Sequence, residues 1–254
     1  MYTLYNGNCF DVLKNIKSNT IDCILCDPPY NKTACEWDKY AIPLKDMWQE
    51  FERIVVPTAN IIFTSSQPFT SMLVMSKPEW FRYEIIWVKK QATAPLVAHI
   101  RPMPKHENIL VFYNQKGTYN PIMGVGKPYS GFASENSKIG EVYGDANSIH
   151  KENYGTRYPT SVIEFGRERG GKWDGKHPTQ KPIKLCDYLC RMFTNENDLV
   201  LDPFMGVGSF GIAAIKNNRN FIGIEIDKKY YSIAKDRFAD AEGIGVYNNP
   251  VCVD

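Results

Sequence analysis

The chain has 254 residues, 43% of them hydrophobic, and a net charge of +2; that is enough apolar material for one α/β domain with an inserted lobe, and too little charge to announce a nucleic-acid partner by itself. It has no opening apolar segment of the secretory kind and no run of about 18 apolar residues, so neither export nor a membrane span is expected. Seven cysteines, an odd number in a chain without a signal peptide, point to free thiols in a reducing, cytoplasmic compartment.

In chain order, the first signal is an apolar run from Ile21 to Cys26, read as a buried strand, which ends in Asp27-Pro28-Pro29-Tyr30. The prolines fix φ and supply no N–H, so the carbonyl oxygens of this turn are left as acceptors without competing donors. Asp27 adds a charged acceptor and Tyr30 a flat face. Together they suit a planar exocyclic amine: accepting both N–H groups draws the lone pair out of ring conjugation and makes the nitrogen a better nucleophile. An isolated Asp-Pro-Pro is also an ordinary strand-to-loop stop, so the rest of the chain must decide. The pair Cys23-x-x-Cys26 lies within the strand, where positions i and i+3 face opposite sides; buried structural thiols are expected there and a metal site is not. Cys186 and Cys190, one helical turn apart, lack partner ligands, so no metal is assigned.

Helices are predicted from Ile42 to Val55 and from Gln67 to Met75, and strands from Asn60 to Thr64, Tyr83 to Val88 and Asn108 to Tyr113. From Asn114 to Lys176 the composition changes. Cations such as Lys116, Lys127, Lys138, Arg157 and Arg167 alternate with Tyr119, Tyr129, Tyr154, Tyr158 and Trp173 in a glycine-rich stretch without long apolar runs. Such a stretch suits a loop-built surface with cations on phosphates and aromatics beside bases, although the interspersed Glu135, Glu141 and Asp145 also fit a merely solvated insertion. A helix from Pro182 to Phe193 follows, then a buried strand from Leu199 to Asp202 that runs into Gly206-x-Gly208-x-x-Gly211 and a helix over Ile212 to Lys216. Glycine at a strand-to-helix turn lets the backbone approach a ligand, and the helix N-terminus offers free N–H groups. The next strand, Phe221 to Glu225, ends in acid, where a carboxylate reaches the ribose of a nucleoside cofactor. A helix from Lys229 to Ala239 precedes a loosely held tail, Gly243 to Asp254. The glycine loop alone fits a nicotinamide enzyme or a methyltransferase; only the second has a use for Asp27 to Tyr30.

With Asp27-Pro28-Pro29-Tyr30-Asn31, His106-Glu107-Asn108-Ile109-Leu110-Val111-Phe112-Tyr113, His177-Pro178-Thr179-Gln180-Lys181-Pro182 and Asp202-Pro203-Phe204-Met205-Gly206 in this order, the chain closely resembles the amino-group DNA methyltransferases of the β arrangement, in which the catalytic tetrapeptide precedes the cofactor loop. The resemblance extends from Tyr5-Asn6-Gly7-Asn8-Cys9 to about Arg237. It implies a Rossmann-like, doubly wound, mostly parallel sheet in permuted motif order, with residues 1–113 as the catalytic half, 114–176 as an inserted target-recognition region, 177–240 as the cofactor half and 241–254 as a tail.

The resemblance further implies S-adenosylmethionine as the cofactor, double-stranded DNA as the substrate and a homodimer, since dimers are common in this arrangement. Asp202, Phe204, Gly206, Gly208 and Ser209 would wrap the methionine part and sulfonium, Glu225 and Asp227 would meet the ribose side, and Thr179 and Lys181 would lie near the cofactor carboxylate. Asn8, where relatives commonly carry aspartate, would accept from the adenine amine beside Cys9, and Val207 and Phe210 are bulkier than usual for the loop. Asp27, at the junction of both sites, would with the Pro28 carbonyl accept the N–H groups of an extruded base lying against Pro29 and stacked on Tyr30. Lys89, Lys90 and Arg101 are candidates for DNA phosphate, and His106 for positioning the extruded nucleotide. Adenine N6 is favoured over cytosine N4 because aspartate heading the tetrapeptide is commoner among adenine enzymes. Still open are a cytosine-N4 enzyme, an RNA or protein amine methyltransferase, and a non-catalytic DNA-binding relative, the last opposed by the intact acids Asp27, Asp202 and Glu225.

Overall fold

A computed structural model describes residues 1–31, 42–131, 151–167 and 171–242. The tail expected over Gly243 to Asp254, and 132–150 and 168–170 of the expected recognition region, lie outside the described residues. Among the described residues the elements run β1 (Tyr2–Asn6), α1 (Cys9–Leu13), β2 (Ile21–Cys26), α2 (Leu44–Ile54), β3 (Val55–Ser65), α3 (Phe69–Ser76), β4 (Phe81–Lys89), β5 (His106–Phe112), β6 (Gly124–Val125), β7 (Tyr129–Gly131), β8 (Lys151–Asn153), β9 (Thr156–Arg157), β10 (Val162–Phe165), α4 (Ile183–Phe193), β11 (Leu199–Asp202), α5 (Ser209–Lys216), β12 (Asn220–Glu225) and α6 (Lys228–Glu242).

Eight strands form one sheet in the order β1-β12-β11-β2-β3-β5-β4-β10. All neighbours are parallel except that β5 runs antiparallel to both β3 and β4. The carboxyl ends of the other seven strands therefore share an edge with the amino end of β5, at His106 and Glu107. Strand order reverses between β2 and β11, which pair through Cys23 with Val200 and Ile24 with Leu201; this is the switch point where open α/β sheets bind ligands.

The interior strands read as near-continuous apolar runs because both faces are covered: five of the six residues of β2 are buried. Helix α2 buries Met47, Trp48, Phe51 and Ile54, which recur on one helical face. They meet β3 and β5 in an aromatic cluster, with ring centroids 5.1 Å apart for Trp48 and Phe112 and 5.7 Å for Trp48 and Phe63. The expected elements are present: the strands keep or exceed their expected length, while the helices Leu44–Ile54, Phe69–Ser76 and Ile183–Phe193 are one to three residues shorter than expected. Seven further ones among the described residues, β1, α1 and β6 to β10, had no clear periodic signal, and the last five lie in the stretch expected to be built of loops. Strands β1 and β10 are sheet edges with no fully buried residue, and α1 is only five residues long.

The chain divides into two compact units, Met1–Asn120 with Ser161–Asp254, and Pro121–Thr160. Among its described residues the smaller unit consists of two short antiparallel ladders, β6 with β9 and β7 with β8. Within it the Arg157 guanidinium lies 4.8 Å from the Tyr129 ring centroid, and Tyr129, Tyr154 and Tyr158 are exposed. No helix among the described residues is long and apolar enough to cross a membrane.

Candidate active site

The turn after β2 is held by its own carboxylate. Asp27 Oδ1 accepts from Tyr30 Oη at 2.6 Å and from Thr64 Oγ1, at the end of β3, at 2.5 Å; Oδ2 accepts from Lys181 Nζ at 2.5 Å. These bonds aim the carboxylate and pin the Tyr30 ring, one side of which stacks on Phe69 at 5.7 Å while the Lys181 ammonium lies 5.5 Å from its centroid. Burial, then the charge of Asp27, pushes the Tyr30 phenol well above its ordinary range, so it remains a donor. Lys181 is 6% exposed. Burial disfavours its charge, but Asp27 and Glu107 outweigh burial and hold the ammonium up at about 12. Glu107 is in turn ion-paired to Lys89 at 2.5 Å and lies 3.4 Å from Lys181. Burial alone would raise its carboxyl; the two lysines bring it below the usual range.

One strand over, β11 delivers Asp202 and the glycine loop. Asp202 is buried, accepts from the Phe204 N–H at 3.0 Å, and is pushed well above the ordinary carboxyl range by burial. Gly208 caps α5 with φ of +77°, and a Cβ there would meet the Phe238 ring at 2.6 Å, so both conformation and space demand glycine. Glu225, at the end of β12, ties the neighbouring loops together: Oε2 accepts from Gly206 N–H at 2.8 Å and Oε1 from Asp227 N–H at 2.7 Å. Burial raises its carboxyl pKa. Asp227 Oδ1 accepts from the N–H groups of Lys229 and Tyr230, capping α6, and buried Arg237 donates to the Val207 carbonyl from below. After β1, Asn8 caps α1 by accepting from Phe10 N–H at 3.0 Å, above Cys9, whose thiol burial pushes up to about 12.

The two loops open into one cleft of about 1660 Å³, lined among others by Asn8, Asp27, Tyr30, Thr179, Lys181, Asp202, Ser209, Glu225 and Asp227. This volume exceeds that of a pocket for one small ligand, leaving room for two reactants face to face. Residues 21–236 match the N6_N4_Mtase family, described as DNA methylase. The chain belongs to this DNA methylase family. Type II methyltransferase M2.DpnII of Streptococcus pneumoniae is 48% identical to it, across 92% of this chain and 88% of its own. DNA adenine methyltransferase YhdJ of Escherichia coli is 27% identical, across 92% and 82%. The crystal structure of the M1.HpyAVI complex with S-adenosylmethionine aligns with a TM-score of 0.64 at 27% identity, covering 94% of this chain and 99% of that one.

The residues of this DNA methylase fit the methyl donor named in that complex. Ser209 Oγ is buried in the cleft wall without a hydrogen-bond partner. It stands at the start of α5, next to Gly208, and shares the cleft lining with the carboxylates of Asp202 and Glu225, a donor set of the kind a cationic nucleoside would meet. The candidate DNA contacts separate. Lys90, Arg101 and His106 are exposed at the cleft rim, whereas Lys89 is engaged by Glu107 and lies 5.4 Å from the Trp87 ring centroid. Lys181, expected beside the cofactor carboxylate, lines the cleft with its ammonium 2.5 Å from Asp27 Oδ2. The amide oxygen of Asn8, expected to face an amine, is engaged as a helix cap. Among the described residues no group of three or more His, Cys, Asp or Glu could hold a metal ion.

Three residues of the cleft and its support carried no assigned role in the sequence. Glu107 was visible as an acid just ahead of the expected strand from Asn108, but its partner Lys181 is 74 positions away (181 minus 107). Thr64 looks like any β-branched strand residue until β3 is placed beside β2. His177 packs edge-on against Tyr230, at 4.2 Å between centroids, and burial lowers its pKa to about 4.

Proposed function

We propose that this DNA methylase moves the methyl group of S-adenosylmethionine to the N6 amine of an adenine extruded from double-stranded DNA, in the cytoplasm. The observation that carries the reading is the meeting of an amine-accepting turn and a glycine loop at the ends of adjacent strands, β2 and β11, in one cleft. An amine inside a paired, stacked duplex cannot reach that cleft, so the base leaves the stack first. Tyr30 offers it a ring face, and Asp27 with the Pro28 carbonyl accepts its two N–H groups. The nitrogen lone pair is thereby freed, and the positive charge that develops on it is stabilised by Asp27. When bound, S-adenosylmethionine supplies an electrophilic methyl carbon on a sulfonium. The chain's own part is positioning: the Gly206–Ser209 loop, Asp202 and Glu225 hold the donor in line with the amine, and the surplus proton of the methylated amine passes to Asp27 or to water.

Lys90, Arg101 and His106 face the DNA at the rim, and the smaller unit, with its exposed tyrosines and Arg157, reads the target. The preference for adenine is supported by the name of YhdJ and by the aspartate heading the tetrapeptide. Mass spectrometry of nucleosides from unmethylated genomic DNA incubated with the protein and labelled S-adenosylmethionine tests it. N6-methyladenine is expected; labelled N4-methylcytosine would move the reaction to cytosine, and no labelled nucleoside from protein that binds the cofactor would overturn it.

A further inference from the structure

The acceptor that the amine needs is partly in use. Asp27 Oδ1 already takes two hydroxyl donors, from Tyr30 and Thr64, and Oδ2 is bonded to the Lys181 ammonium at 2.5 Å. A carboxylate oxygen accepts about two hydrogen bonds, so Oδ1 is filled and an incoming amine takes the remaining site of Oδ2, directly beside the ammonium. An ammonium there also opposes the reaction electrostatically, because it neutralises Asp27 while positive charge grows on the attacking nitrogen. The structure provides a second station for it. Glu107 Oε2 is buried and ion-paired to the same Nζ at 3.4 Å, without a well-formed hydrogen bond. The other oxygen of Glu107 is tied to Lys89, which fixes the carboxylate in place. A charge-assisted hydrogen bond is shorter and stronger than a long ion pair, and a shift of the lysine head by about one ångström would convert this contact into one.

We propose that Lys181 is a two-position latch: it rests on Asp27 when the amine pocket is empty and passes to Glu107 when the target base arrives, so that Glu107 is a positioning residue for methyl transfer. The latch rests on the amine-methylation reading above. It frees Asp27 of its counter-ion only when an amine is present, and it keeps Lys181 paired at both stations, as a buried cation requires.

The test combines a structural and a kinetic readout. In crystals of the wild-type protein with S-adenosylhomocysteine and adenosine, Lys181 Nζ should lie within hydrogen-bond distance of Glu107 Oε2, with the adenine amine on Asp27 Oδ2; in Glu107→Gln crystals grown likewise it should remain on Asp27. In solution, Glu107→Gln should lower kcat on DNA at least tenfold while the KM for S-adenosylmethionine and the affinity for S-adenosylhomocysteine stay within twofold, and Glu107→Asp should recover most of the loss. Lys181 still on Asp27 beside a bound adenine, wild-type kcat in Glu107→Gln, or a cofactor affinity that falls with kcat overturns the latch. Failure of the function reading looks different: a wild-type protein that binds S-adenosylhomocysteine but labels no DNA and binds no adenosine beside Asp27.

Discussion

Replacing Asp27 by asparagine keeps the shape of the turn and removes its charge. The amide still accepts from Tyr30 and Thr64, but the amine loses a charge-assisted acceptor. A hydrogen bond to a charged group is worth about 1.5–3 kcal/mol, and a full charge about 4 Å away adds up to about 4 kcal/mol at an effective dielectric constant of about 20. Because only part of a charge develops on the amine in the transition state, about 3–5 kcal/mol is the expected loss, or about two to four orders of magnitude in kcat. The protein also loses the nearest counter-ion of Lys181. Breaking a buried pair costs about 3–5 kcal/mol; Glu107, 3.4 Å away, takes over part of that duty. A loss of about 2 kcal/mol then lowers Tm by about 4–8 °C for a chain of this size. Tritium transfer to unmethylated genomic DNA at saturating cofactor reads the first effect, and calorimetric titration with S-adenosylhomocysteine serves as control. Cofactor affinity should hold within about threefold, since Asp27 makes no hydrogen bond to the glycine loop. A kcat within tenfold of wild type, or a cofactor affinity that falls in step with it, would refute the reasoning.

Gly208→Ala should destabilise by about 2–4 kcal/mol, combining the left-handed backbone cost of about 1–2 kcal/mol with overpacking against Phe238; a thermal melt unchanged from wild type contradicts it. Glu225→Gln should weaken S-adenosylhomocysteine binding at least tenfold in calorimetry, because it loosens the loops at Gly206 and Asp227 and removes a charged ribose partner. His177 is held neutral by burial, with a pKa of about 4 against an ordinary 6.5. The unfolded chain therefore binds more protons between those values, and this histidine's contribution to stability falls as pH drops from 6.5 to 4. His177→Gln should flatten that part of the stability profile in urea titrations across this range; an identical slope in both proteins argues against it. Lys90→Ala and Arg101→Ala should each raise the KM for DNA and reduce the salt slope by about one, with kcat preserved, whereas filter-binding slopes equal to wild type would take these residues off the DNA path.

The sequence carried most of the fold because its signals are local. Buried parallel strands such as Ile21–Cys26 and Leu199–Asp202 are continuous apolar runs, α2 has a one-sided apolar stripe, and the need for glycine at Gly208 follows from a strand running straight into a helix. The two chemical loops were legible for the same reason: prolines beside an acid and glycines at a helix start act through their own backbone. Edge strands β1 and β10 were not, because their identity lies in the strand they pair with.

What the chain alone determined, then, is that an amine-accepting turn and a ligand loop exist and that each follows a strand. Only the tertiary structure decided which charges complete the site. The reversed direction of β5 brings its first residues, His106 and Glu107, to the edge where its neighbours end, and the approach to α4 buries Lys181 between Asp27 and Glu107. Ion pairing acts over a few ångströms of space whatever the separation in sequence, so the Asp27–Lys181–Glu107–Lys89 network became readable only once the sheet was assembled.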